Sequence, residues 1–120
     1  MRRIFAIAIC GAQALACSAP AAAHAFLDHA SPRVGSAVRA PPSEVKLWFT
    51  QELEPAFSMV SVQDANGRRV DKGDVKVEGD NVVLRVSLPT LAAGRYRVMW
   101  RALSVDTHVT EGDFTFEITP

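Results

Sequence analysis

Three histidines occur in the 120 residues, and two of them stand where a metal ion could be held. His24 directly follows Ala21-Ala22-Ala23, a small-residue tripeptide of the kind a signal protease cuts. Cleavage after Ala23 would make His24 the first residue and give it a free α-amine beside its imidazole. Those two nitrogens can close a chelate ring on one ion, and amine and imidazole donors suit Cu(II). Both must be unprotonated to bind; their reference pKa values are about 7.7–8.0 and 6.5. Far along the chain, Asp106-Thr107-His108 sets a carboxylate and an imidazole two residues apart. In extended backbone that spacing projects both side chains to one side. Two imidazoles, an amine and a carboxylate oxygen form a nitrogen-rich tetragonal set that favours Cu(II) over Zn(II) or Mg(II).

Each piece has a plainer explanation. An isolated Asp-x-His is more often a turn with a solvated histidine than a metal site. Ala23-His24-Ala25 satisfies the same cleavage rule, and a cut after Ala25 would destroy the chelate. His29, preceded by Asp28, reads as a surface histidine on a first strand, with an auxiliary or transient copper ligand as the sharper alternative. An amino-terminal Cu/Ni motif would need histidine at the third position, which Phe26 occupies.

The residues before His24 read as a leader. Arg2 and Arg3 form a basic start, Ile4 to Leu15 is apolar apart from Gln13, and small residues lead to Ala23. This is the layout of a secretory signal peptide and is too short to span a bilayer. The domain is therefore expected over residues 24–120, exported to the periplasm. Cys10 and Cys17 both fall in the leader, so the mature chain would have no disulfide, cysteine nucleophile or thiolate metal site. Losing Arg2 and Arg3 leaves 11 basic residues against 13 acidic, a net charge of −2 with histidines neutral. Without a basic patch or a stacking array of aromatics, nucleic acid is not an expected partner.

The elements that must carry these residues read as strands. Glu44 to Thr50 alternates, with Val45, Leu47 and Phe49 on one face and Trp48 on the other. Phe57 to Gln63 alternates again and is expected to place Phe57, Met59 or Val60, and Val62 near the core. Asp64-Ala65-Asn66-Gly67 then turns, since Asn-Gly accepts positive φ readily. Val75–Val77 and Val82–Val86 flank Gly79-Asp80-Asn81 as a hairpin. Arg95 to Leu103 forms a long strand with Tyr96, Val98 and Trp100 on one face. After a loop bearing Asp106 and His108 and a turn at Gly112, Asp113 to Ile118 closes the set. About seven short strands and no convincing helix after the leader imply an all-β, immunoglobulin-like antiparallel sandwich. Pro32, Pro41, Pro42, Pro55 and Pro89 all fall in connections, where a missing N–H does least harm.

Taken together, the sequence resembles the CopC-type periplasmic copper-resistance family. The likeness rests on His24 after the leader, Ala30-Ser-Pro-x-x-Gly35, Leu47-Trp-Phe-Thr-Gln-Glu-Leu53 with Pro55-Ala-Phe57, Leu91-Ala-Ala-Gly-Arg-Tyr96, Trp100 through His108, and Gly112-Asp-Phe-Thr-Phe116. It covers essentially all of residues 24–120. The resemblance implies one Cu(II) per chain in a histidine brace made by His24, Asp106 and His108, with Trp100 packed nearby. It also suggests a role in copper homeostasis or resistance as a monomeric carrier or buffer, with an inner-membrane copper transport protein as partner.

Some members carry a Cu(I) site in a methionine-rich segment with a histidine. Here the mature chain has only Met59 and Met99, far apart in sequence, so no such site is expected. Others place a glutamate near the Cu(II) site; Gln51 holds that place here, with Glu52 adjacent. The chain is not expected to be an enzyme. The competing readings are a copper-dependent oxidative enzyme using the same brace, and a metal-free sandwich that serves as an interaction module.

Overall fold

The computed structural model describes residues 25–120. His24, the leader and both cysteines lie outside the described residues. Eight strands follow in order: β1 (Leu27–Ser31), β2 (Ala37–Val38), β3 (Glu44–Phe49), β4 (Met59–Gln63), β5 (Lys76–Glu78), β6 (Val83–Ser87), β7 (Gly94–Leu103) and β8 (Val109–Ile118). They form two four-stranded sheets in the orders β1-β3-β6-β5 and β2-β8-β7-β4. All pairings are antiparallel except β2 with β8. This is the all-β sandwich the alternation implied.

The inward residues of each sheet meet in one core. Val45, Leu47 and Phe49 of β3 and Leu84 and Val86 of β6 face Val60 and Val62 of β4, Tyr96 and Val98 of β7, and Phe114, Phe116 and Ile118 of β8. Period-two patterning explains these positions directly. At the base of β7 the Tyr96 hydroxyl donates to the Ala92 carbonyl at 2.6 Å, which pins the incoming connection to its own strand. The hairpin at Gly79-Asp80-Asn81 is present, with all three residues at positive φ.

Two expectations need correction. Phe57 is 66% exposed and Met59 is 57% exposed. Pro55 opens a short 3-10 turn, Pro55–Phe57, so Phe57 precedes β4 and escapes its alternation. The strand then starts with Met59 outward, leaving Val60 and Val62 to the core. Second, Gly112 is not a turn: β8 begins at Val109, and Gly112 lies opposite Trp100 in a ladder of ten consecutive β7–β8 pairs. A Cβ at position 112 would come within 2.5 Å of the Trp100 ring, so glycine makes room for the indole. The ring also meets Phe49 edge-on at 5.1 Å. Met59 and Met99, distant in sequence, are near in register, opposite Arg101 and Ser61 on paired strands. Both line a shallow hollow of about 240 Å³, whose lining contains no histidine.

One carboxylate secures the outer edge of β4. The Asp71 side chain is fully buried and grips the Arg69 guanidinium at 2.9 Å. It also accepts the N–H groups of Val62 at 2.8 Å and Gly73 at 2.9 Å. The Val70 N–H donates to the Val62 carbonyl, so the 69–73 segment covers the strand edge. Burial pushes the Asp71 carboxyl up, but the hydrogen bonds from Arg69, Val62 and Gly73 outweigh it and hold it below the ordinary range.

Two predictions arise here. Asp71→Ala leaves a guanidinium and two backbone donors unmatched, and should cost about 2–4 kcal/mol in urea unfolding. Because the folded pKa is depressed, the Asp71 contribution is fully present above the unfolded value (about 3.9) and fades as pH falls through the lower folded value. Asp71→Asn should therefore flatten the loss of stability below about pH 4, and an unchanged slope would remove the carboxylate from this role. Gly112→Ala should cost about 1–3 kcal/mol by overpacking and shift Trp100 emission. Wild-type emission in the variant would mean that the ring is not lodged against this backbone.

Candidate metal centre

The β7–β8 ladder ends at Leu103 and Val109, and the five residues between bend back on themselves. The Ser104 N–H donates to the His108 carbonyl and the Thr107 N–H to the Ser104 carbonyl, both at 2.9 Å. Thr107 takes φ 72°, a left-handed conformation that a β-branched residue adopts only under constraint. The segment is thus a tight turn, not the extended run the two-residue spacing suggested. It still unites the pair: the Asp106 carboxylate lies 3.3 Å from His108 Nδ1.

The hub of this turn is Ser104, which is buried. Its hydroxyl donates to the Asp106 carboxylate and accepts the His108 N–H at 3.3 Å. That hydroxyl, helped by His108 and opposed by slight desolvation, holds the Asp106 carboxyl below its usual range. The carboxylate is therefore ionised at neutral pH. Both side chains remain about half exposed, at 44% and 47%.

Neighbouring segments brace the turn from below. Leu53 bridges Ser104, the Glu54 N–H donates to the Leu103 carbonyl at 2.8 Å, and the Val105 N–H donates to the Glu52 carbonyl at 3.1 Å. Glu52 thus serves the turn through its backbone, with an exposed side chain, and Gln51 is half-buried beside it. On the other flank the Thr110 hydroxyl donates to the Ala25 carbonyl at 2.6 Å. Ala25 is fully buried, and Phe26 exchanges hydrogen bonds with Thr50: N–H to hydroxyl at 3.0 Å and, in return, Thr50 N–H to carbonyl at 2.9 Å.

Sequence reasoning identified Asp106 and His108 but gave no role to Ser104, Thr110 or Thr50. A serine two residues before an aspartate is a recognisable local hydrogen-bonding signature. The 85-residue reach from Thr110 to Ala25 has no local signal at all.

His29 is placed elsewhere. Its ring stacks on Trp48 at 4.4 Å, and its Nδ1 meets the Asp28 carboxylate at 2.6 Å. Both residues belong to the first sheet, where His29 and Trp48 are opposed on β1 and β3. Among the described residues, no three His, Cys, Asp or Glu side chains gather as a metal cluster. Asp106 and His108 are a pair, and the third member of the expected set, His24, lies outside the described residues.

Comparison with known proteins agrees with this architecture. A sequence model described as the CopC domain matches residues 27–119. The chain is 35% identical over 106 residues to a copper resistance protein C of Escherichia coli, covering 82% of this chain and 83% of that protein. It is 33% identical over 101 residues to the Bacillus subtilis copper transport protein CutJ, covering 80% of this chain but only 18% of the relative. Among solved structures, CopC from Methylosinus trichosporium OB3b superposes with a TM-score of 0.75 at 41% identity, over 81% of this chain and 95% of that one. PcoC, a methionine-rich copper resistance protein from Escherichia coli, gives 0.72 at 32% identity, over 80% and 99%. The sandwich is thus that of its solved relatives, and the chain belongs to the CopC family.

Proposed function

We infer that the protein is a periplasmic Cu(II) carrier or buffer, exported through its leader and cleaved after Ala23, which holds one ion with His24, Asp106 and His108. The observation that supports this most is the Thr110–Ala25 hydrogen bond. Thr110 is two residues past His108, and consecutive α-carbons are ~3.8 Å apart. The Ala25 carbonyl is thus tethered two residues beyond His108, which supports a reading in which the residue before it reaches the Asp106–His108 turn. A free amine and imidazole at position 24 would complete a nitrogen-rich set with the two donors already paired there. Asp106, ionised and oriented by Ser104, supplies the anionic oxygen; His108 supplies an imidazole.

The carrier reading is favoured over copper-dependent oxidation. A carboxylate ligand at Asp106 would occupy coordination that oxygen chemistry would need. An inner-membrane copper transport protein is the proposed source or acceptor of the ion.

Titration of the processed protein with Cu(II), followed by calorimetry and electron paramagnetic resonance, tests the reading. One equivalent should bind with a nitrogen-rich tetragonal signal. His108→Ala should reduce affinity at least about a hundredfold while the β-sheet circular dichroism stays unchanged. One extra residue ahead of His24 should be nearly as damaging, because it converts the amine to an amide. Full affinity in that extended form would rule out a brace. Ser104→Ala and Thr110→Val, which remove only supporting hydroxyls, should each weaken binding about 10–100-fold. Wild-type affinity in both would show that the ion sits elsewhere.

A further inference from the structure

We propose that the end of the sandwich carrying the Asp106–His108 turn is a docking face for a protein that exchanges copper, and that the matching face is apolar at its centre and basic at its rim. The proposal rests on the copper reading above and adds the surface through which the ion would pass.

Among the described residues, six large hydrophobics are exposed: Phe26, Val34, Phe57, Met59, Val105 and Val109. Five of them collect around one end. Val105 lies within the turn, and Val109 is paired with Leu103 at the last rung beneath it. Phe57 and Met59 flank Ser58, whose hydroxyl accepts the Leu103 N–H at 3.2 Å. Phe26 follows the Ala25 carbonyl held by Thr110. Only Val34 lies away from this group. Scattered single hydrophobics are ordinary on a protein surface, but five gathered about one turn are not.

The charge on the same end is one-sided. Its segments are residues 25–28, 50–59, 79–82 and 104–110, the third joined through the hydrogen bond from Leu53 N–H to Asn81 carbonyl. They contain Asp28, Glu52, Glu54, Asp80 and Asp106, and no lysine or arginine. All 11 basic residues of the chain beyond the leader lie outside these segments. Arg101 and Arg69, which border the hollow beside Met59, are paired with Glu111 at 3.2 Å and with Asp71 at 2.9 Å.

This combination selects the occupant. A second copy would bring acid against acid, which disfavours self-association through this face. Anionic lipid headgroups would be repelled for the same reason. A protein with arginine or lysine around an apolar centre satisfies both features, and charge steering would speed the encounter.

The test uses synthetic amphipathic peptides with a Gly-Gly-His amino terminus that chelates Cu(II). One has a leucine face rimmed by arginine; a second replaces arginine with glutamate, and a third replaces leucine with serine. Added to metal-free, isotope-labelled protein, the first should shift amide resonances at 25–28, 50–59, 79–82 and 104–110, and the others should not. From copper-loaded protein, transfer to the arginine peptide should run at least about tenfold faster than to the glutamate peptide at low salt, with the gap closing near 1 M. Glu54→Lys should shrink that preference, and Phe57→Ser with Met59→Gln should weaken the arginine peptide about tenfold. Shifts spread over the sheet faces, equal transfer rates, or concentration-dependent dimerisation through this end would overturn the proposal. A protein that takes up no copper yet shows the clustered shifts would refute the carrier reading and leave the docking face standing.

Discussion

The ten-rung ladder between β7 and β8 is the constraint on which the molecule depends. It runs through the core, with Tyr96, Val98, Phe114, Phe116 and Ile118 turned inward, and its register decides what stands at the far tip. A slip of one residue would turn those side chains to solvent and change the turn that carries Asp106 and His108. Trp100 and Gly112 reinforce the register, because an indole seated against glycine tolerates no side chain there. The Asp106–His108 pair, the proposed metal ligands, is therefore held by hydrophobic packing that begins several rungs away. Loops on a rigid scaffold carry function for this reason.

At the tip, control passes from packing to hydrogen bonds. Thr107 in the left-handed region is unfavourable by itself, and the two 2.9 Å backbone bonds around Ser104 sustain it. The Ser104 hydroxyl couples this geometry to charge by holding Asp106 ionised and turned toward His108. Strain, orientation and ionisation at this turn thus share one buried oxygen.

The sandwich and its core were legible because burial imposes a period of two on strands, and Val45-x-Leu47-x-Phe49 or Phe114-x-Phe116-x-Ile118 state it openly. Phe57 misled because a proline turn interrupts the pattern just before β4, where hydrophobic content alone does not distinguish inward from outward. Asp106 and His108 were found by residue type, but their conformation was not, since spacing of two carries different meanings in a strand and in a turn. Asp71 was invisible for another reason. A carboxylate serving Arg69, Val62 and Gly73 leaves no trace in hydropathy, because its partners are mostly backbone groups. Contacts of long sequence separation, such as Thr110 to Ala25, are decided only once the sheets have closed.

That last contact links folding to the proposed chemistry. The hairpin tip offers two donors already in place, while the others would arrive with the start of the chain. An ion bound by both would clip the chain start to the turn and stabilise the folded state according to its concentration and affinity. Conversely, freeing the segment around Ala25 would leave a carboxylate and an imidazole, a weaker pair for Cu(II) than the full set. A partner pressing on Phe26 or Val109 would act where the two halves of the site meet, so recognition and release would be governed at the same place. The longest ladder of the fold thus carries Asp106 and His108, and the proposed remaining ligand would come from the chain that the Ala25–Thr110 contact holds.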